Sequence, residues 1–165
     1  MKTVYDLSQL QWSLLGTSPF AWMVNPDKNA IAEQPRVPAA VPGSVQKALR
    51  NADVLPDWNV GLNARDCEWV ENRHWVFQVI LPASWFSEQT HFYLKANGLD
   101  DRGWVILNGQ QVGEFHSTHL PIAIDLSKHL KKSDNLLEII FDCPPRWLGQ
   151  TGFTSQMTDW KARFY

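Results

Sequence analysis

Alternation of apolar and polar side chains at every second position runs through much of this chain. In His91-Phe92-Tyr93-Leu94-Lys95-Ala96, Phe92, Leu94 and Ala96 share one face while His91, Tyr93 and Lys95 share the other. That period of two is the mark of a strand with one buried face. Trp75, Phe77, Val79 and Leu81 alternate in the same way, but the residues between them are also fairly apolar, which predicts a strand covered on both sides. Ile122, Ile124 and Leu126 alternate with Ala123 and Asp125, and Leu137, Ile139 and Phe141 alternate within Leu136 to Phe141. Trp104-Val105-Ile106-Leu107 runs into Asn108-Gly109 and then Gln110 to Gly113. Asn-Gly between two such runs predicts a two-residue hairpin, because both central positions accept positive φ cheaply.

Only one segment carries a helical pattern. Pro42-Gly43 interrupts the chain, Ser44 is a capping residue, and Val45, Ala48 and Leu49 fall on one face through Ala52, with Pro56 as the last stop. Asn25 to Pro38 holds three prolines without periodicity and reads as a surface loop. Leu126 to Leu130 reads as a tight helical turn, and Asn97-Gly98 and Lys132 to Asn135 as turns. Many strands with one short helix near residues 44–52 predict an all-β fold, an antiparallel β-sandwich, as a single domain over residues 1–165.

Composition narrows the function classes. The net charge is −2, with 44% apolar and 19% charged residues, so no strong field draws the chain to nucleic acid or to an anionic membrane. No apolar run approaches the roughly 18 residues of a membrane helix, and no secretory pattern follows Met1. Cys67 and Cys143 are the only cysteines and are expected as free thiols in a cytoplasmic protein. Nine tryptophans in 165 residues are the outlying count. So many large rigid rings imply an aromatic core, a surface that binds flat apolar faces such as those of sugars, or both. Trp12, Trp69, Trp75 and Trp104 lie in or beside predicted strands and are assigned to the core. Trp58, Trp85, Trp147 and Trp160 fall in turns or the tail.

Several phrases in order carry a resemblance. They are Trp12, Leu14 and Trp22; Val41-Pro42-Gly43-Ser44-Val45 with Leu49 and Leu55-Pro56-Asp57; and Gly61-Leu62-Asn63 followed by Cys67-Glu68-Trp69-Val70-Glu71 and Trp75. Then come Gly98-Leu99-Asp100, Val105-Ile106-Leu107-Asn108-Gly109 with Val112-Gly113, and His119-Leu120-Pro121 with Asp125-Leu126. Together they resemble the N-terminal sugar-binding-like domain of family 2 glycoside hydrolases, its β-mannosidase branch most of all. The resemblance implies a galactose-binding-like jelly roll. It also implies that Lys161-Ala162-Arg163-Phe164-Tyr165 leads toward the family's Gly-Trp-Asp-Trp motif, with the catalytic glutamates on a later barrel domain. The chain is therefore expected to be the front piece of a larger multidomain glycosidase. Asp101 stands where the family commonly has a small or hydroxyl residue, and Ser117 lies where it often has Asn.

The chain's own residues offer no catalytic pair. A retaining glycosidase needs two carboxyl groups about 5–5.5 Å apart. Asp100 and Asp101 are adjacent and read as a solvated bend, and Glu68 and Glu71 would diverge on a strand. Glu71 before Arg73 and Trp75 reads as a structural pair. His116 and His119 would diverge on a strand, and no further Cys or His accompanies them as a metal set. No acidic loop suited to calcium is present, and no cofactor motif is found. The candidate sugar contacts are Trp160, next to the stretch expected to enter the parent's active site, and Lys161, which opens that stretch. His116 and His119 follow, in an expected loop between strands. Three roles follow for the chain. It is a non-catalytic domain that packs on a following catalytic barrel and helps wall its sugar pocket, an autonomous carbohydrate-binding module, or a purely structural interaction domain.

Overall fold

The computed structural model describes residues 3–18, 36–86 and 91–143. Among these, eight strands form two antiparallel sheets. The strands are β1 (Trp12–Thr17), β2 (Val37–Ala39), β3 (His74–Leu81), β4 (Tyr93–Ala96), β5 (Gly103–Leu107), β6 (Gln110–Phe115), β7 (Ile122–Asp125) and β8 (Asn135–Phe141). Six of them make a sheet in the order β2-β1-β3-β8-β5-β6, and β4 pairs with β7 in a second layer. This is the antiparallel sandwich expected from the alternation.

The register explains the core. Trp75 lies opposite Phe141, Phe77 opposite Ile139 and Val79 opposite Leu137, while β5 places Val105 and Leu107 beside Ile139 and Leu137. One face of four neighbouring strands thus presents a continuous apolar surface, and Leu94, Ile122 and Ile124 of the second layer pack on it. Phe77 and Phe115 both meet Phe141 edge-on, at centroid distances of 5.6 and 5.4 Å. Such tilted contacts suit the ring quadrupoles better than face-to-face stacking.

Helix α1 (Val45–Asn51) starts where Ser44 Oγ accepts the Lys47 N–H, and it buries Ala48 and Leu49 against the core. A second short helix, α2 (Asn63–Asp66), and a 3₁₀ helix over Glu68–Asn72 follow it. Trp69 therefore sits in a 3₁₀ turn rather than in or beside a strand. The other difference lies at the end of the expected loop over Asn25 to Pro38, most of which is outside the described residues. Val37–Ala39 forms the edge strand β2, pairing Val37 with Leu14 and Ala39 with Trp12. Pro38 is compatible with this because an edge strand can spare an N–H. The Asn108-Gly109 hairpin turn is present, with φ of 53° and 83°. The expected turn after Leu126 is closed by a His129 N–H bond to its carbonyl at 2.9 Å.

Asn135 holds the hairpin end of the sandwich together. It is fully buried, and its amide makes four hydrogen bonds. Its oxygen accepts from Lys131 N and Asn108 Nδ2, and its nitrogen donates to the carbonyls of Lys131 and Ser133. Asn108 in turn accepts from Leu136 N and donates to His129 O. A buried amide with every donor and acceptor used is stabilising only as a complete set.

Most of the outer face of β3 is also buried, Ile80 at 51% exposure being the exception. Leu15, Val76 and Ile140 form a second apolar cluster there with Trp104 and Ile106. Beside it, Gln78 Nε2 donates to Glu138 Oε1 at 2.6 Å across the β3–β8 ladder. Glu138 is only 4% exposed. Burial pushes its carboxyl above the usual value, against the opposing pull of the Gln78 hydrogen bond and the Arg36 charge. A raised carboxyl pKa favours folding below its unfolded value, and that contribution is lost as pH rises through the folded value.

Two stability outcomes follow. Asn135→Ala, measured by urea unfolding at neutral pH, is expected to lose about 2–3 kcal/mol, because it orphans a backbone N–H, two carbonyls and one Asn108 donor. Glu138→Gln is expected to gain about 1 kcal/mol at neutral pH, by removing a buried charge while keeping an acceptor for Gln78. The gain should shrink as pH falls toward 4.5, the ordinary value for glutamate; an equal gain at every pH would refute the assignment.

Candidate functional site

A cleft of about 460 Å³ opens against the inner face of the six-stranded sheet. Its floor is built by Trp12 of β1, Trp75 and Phe77 of β3, and Ile139 and Phe141 of β8. The second sheet layer does not roof these side chains. The opposite wall comes instead from the segment Val41 to Gln46 at the start of α1 and from the turn Gly98 to Asp100 between β4 and β5. Glu71 and Arg73, at and just past the end of the Glu68–Asn72 helix, and Asp142, just past β8, complete the rim.

Both floor indoles have their polar atom satisfied inside the protein. Trp12 Nε1 donates to Leu7 O at 2.8 Å, and Trp75 Nε1 donates to Val70 O at 2.7 Å. Both rings are core residues, 4% and 5% exposed, so only their edges reach the cleft. Gly16, opposite Trp75 on β1, leaves room for that ring, since a Cβ there would lie 2.8 Å from Trp75 Cζ3. Trp69 leans on Trp75 at 6.0 Å, and the Arg73 guanidinium lies 5.1 Å over the Trp69 ring, a cation–π contact.

The rim carboxylates are held in place. Asp100 Oδ1 accepts the Thr118 hydroxyl at 2.8 Å. Asp142 Oδ2 accepts from Arg102 Nε at 2.9 Å and lies 2.7 Å from its terminal nitrogen, while its backbone N–H donates to Arg102 O. Cys143 Sγ reaches Glu71 O at 3.5 Å, joining the end of β8 to the 3₁₀ helix.

Behind Asp142 stands His74, buried and facing the edge of Trp104. Its Nδ1 accepts the Cys143 N–H at 2.8 Å and lies 3.3 Å from Asp142 Oδ1. One nitrogen cannot both accept from Cys143 and donate to Asp142. Burial is the dominant influence and pushes the imidazole below its ordinary value, outweighing Asp142 and the Phe141 backbone bond that pull the other way. At neutral pH Nδ1 is therefore the acceptor, and the approach of Asp142 is not an ion pair.

The predicted site residues are scattered relative to this cleft. Trp160 and Lys161 lie outside the described residues. His116 and His119 are both exposed, and neither lines the cleft. His116 Nε2 sits 3.2 Å from Glu114 Oε1, and the His119 N–H donates to Ser117 Oγ. Their loop touches the site indirectly, through the Thr118–Asp100 bond. Glu68 and Glu71 do not diverge as they would on a strand. The 3₁₀ helix has three residues per turn, so positions i and i+3 eclipse. Among the described residues, no three His, Cys, Asp or Glu side chains gather as a metal site would. No helix among them is long and apolar enough to cross a membrane.

Comparison with known proteins places this geometry. The family described as "Glycosyl hydrolase 2 galactose-binding domain-like" matches residues 22–156. A protein named "Beta-mannosidase B" from Emericella nidulans is 26% identical over 162 residues, covering 90% of this chain and 18% of that protein. The crystal structure of a β-D-mannosidase from Dictyoglomus thermophilum superposes with a TM-score of 0.66 at 24% identity, over 81% of this chain and 15% of its own. A β-D-glucuronidase from the same organism does so with a TM-score of 0.54 at 19% identity, over 86% of this chain and 20% of its own. The chain thus spans under a fifth of the length of that mannosidase relative.

The His74 assignment has a direct consequence for pH. A histidine whose folded pKa lies below its unfolded value stabilises the fold fully above that unfolded value, and the contribution is lost as pH falls through 6.5 toward the folded one. Unfolding free energy should therefore drop between pH 7 and 5. His74→Asn, which keeps an acceptor near the position of Nδ1 but cannot titrate, should flatten that drop. A variant with an unchanged pH profile would show that His74 is not the linked group.

Proposed function

The chain belongs to the galactose-binding-like domain family of glycosyl hydrolase 2, and on that premise we propose that it is the non-catalytic N-terminal domain of a β-mannosidase-like enzyme. In this reading it packs on a following catalytic barrel and helps wall the sugar pocket there. The observation that carries the reading is the family match over residues 22–156 together with the 18% share of a β-mannosidase B that the chain spans.

The chemistry of the cleft supports a binding wall rather than a reaction centre. A retaining mechanism needs one carboxylate as nucleophile and a second as acid/base, about 5–5.5 Å away. Asp142 is bound by Arg102, and Asp100 by the Thr118 hydroxyl. Fixed acceptors above an aromatic floor suit recognition of hydroxyl groups. The two acids of the reaction are supplied in this reading by the barrel.

The test is an assay of two proteins from one gene, this 165-residue chain and the full-length product, on aryl β-mannoside, β-galactoside and β-glucuronide. The expected result is no turnover by the chain and hydrolysis of the mannoside by the longer protein. Turnover by the chain alone, or a longer protein inert on the mannoside, would overturn the proposal.

A further inference from the structure

One loop shows aliphatic side chains to water without being slack. Between α1 and α2, Val60 and Leu62 are 58% and 71% exposed, on either side of Gly61, whose φ of 55° is a left-handed value. We infer that this pair is a docking point for the domain that follows in the longer protein. The inference rests on the multidomain reading above and adds to it the surface that makes the contact.

Asp57 is the hub that orders the loop. Its Oδ1 accepts from the Asn59 N–H and Nδ2, and its Oδ2 lies 2.8 Å from a guanidinium nitrogen of Arg50 on α1. Its carbonyl accepts from the Val60 N–H and from Asn63 Nδ2. The Arg50 guanidinium also lies 4.8 Å over the Trp58 ring, which packs against the core. The Asn63 N–H then donates to Val60 O, and the Arg65 N–H to Leu62 O. Fixing a loop costs conformational entropy. Here the fixed geometry gives the sandwich no burial of Val60 or Leu62, since neither belongs to its core. It does lower the ordering cost of covering those side chains with something else.

The small size of the pair selects the occupant. Two aliphatic side chains offer far less than the roughly 1,200–2,000 Å² buried by a stable complex of separate proteins. A domain on the same chain needs less, because its tether holds it near at roughly millimolar effective concentration. There is room for such a domain, since this chain spans 18% of the β-mannosidase B relative and 15% of the solved β-D-mannosidase. The path of the chain fits as well. Just past β8, Cys143 Sγ lies 3.5 Å from Glu71 O, in the 3₁₀ helix that only Cys67 separates from α2. The chain therefore passes Cys143 against the same segment that continues the docking loop.

The experiment is thiol labelling of Val60→Cys and Leu62→Cys, each made in this 165-residue chain and in the full-length product, with the rate at that site read by peptide mass spectrometry. Cys67 and Cys143 are buried and keep the background low. In the short chain both sites are expected to label at the rate of a small free thiol. In the longer protein both should label at least about tenfold more slowly, as a tethered contact closed about nine-tenths of the time requires. Val60→Asp/Leu62→Asp supplies the converse. It should move the thermal midpoint of the short chain by no more than about 2 °C, as a surface change does. In the longer protein it should speed tryptic cleavage between the domains by at least about fivefold. Labelling in the longer protein within about twofold of the short chain, or cleavage no faster in the double variant, would overturn the inference. A short chain that loses as much stability as from a core substitution would also overturn it, by showing that the pair serves the sandwich itself. So would protection that appears in the short chain and rises with its concentration, which would assign the pair to a second copy. None of these readouts involves turnover. A longer protein inert on mannosides would leave the docking standing, and an active one that labels fast would sink the docking alone.

Discussion

The indole of Trp75 is the piece on which the site end of this molecule depends. Its N–H ties β3 to the carbonyl of Val70 in the preceding 3₁₀ helix. Its six-membered ring fills the space that Gly16 leaves on β1, and its face receives Trp69, on which Arg73 rests. One side chain therefore fixes the angle at which the 3₁₀ helix enters the sheet, and with it the positions of Glu71 and Arg73. A smaller ring would leave Val70 O without its donor and open a void against Gly16. Both losses fall on the same residues that shape the cleft.

The two ends of the sandwich show opposite solutions to one problem. At the hairpin end, the Asn108–Asn135 network consumes backbone donors and acceptors that the turns would otherwise leave unpaired inside the fold. At the other end the second layer is short. The inner face of β1, β3 and β8 is met by a helix start and a turn, neither of which offers a flat apolar surface. A sheet face roofed by irregular backbone leaves a gap, and the gap is lined by core residues below and loop residues above. That is why the cleft has an aromatic floor and a charged rim without any segment being specialised in sequence for either.

Most strands are readable from sequence because a half-buried strand must alternate, and α1 is readable because Ser44 and the Val45, Ala48, Leu49 spacing each signal it. The Asn108-Gly109 turn announces itself through the two residues that tolerate its φ values. The 3₁₀ helix over Glu68–Asn72 is not readable in this way. With three residues per turn and only five residues, it has no room to show a period, so the glutamates look divergent when they are aligned. Edge strand β2 is hidden because three residues containing Pro38 carry almost no strand signal. The cleft is hidden for a different reason. Ser44, Glu71, Asp100 and Asp142 are far apart in sequence, and only strand register brings them to one opening. His116 and His119 are conspicuous by residue type, yet the β6–β7 loop holds them outside it. Trp12 and Trp75 are correctly legible as core, but not as core that also faces a cleft.

Buried polar groups on the outer face of the large sheet make its stability a compromise between two proton equilibria. His74 and Glu138 occupy the same face of neighbouring strands, and both are held toward their neutral forms by burial. For the imidazole this means resisting a proton, so acid works against the fold. For the carboxyl it means retaining one, so base works against the fold. The histidine contributes in full only above its unfolded value and the carboxyl only below its own, so no single pH satisfies both completely. The face therefore keeps its polar side chains uncharged through opposite linkages, each narrowing the pH range from its own side. Of the two, the histidine bears on the cleft directly, because protonating Nδ1 would break the Cys143 bond and draw in Asp142, the rim residue that Arg102 already holds. Acid would thus act on the rim and on the stability of the fold through the same protonation.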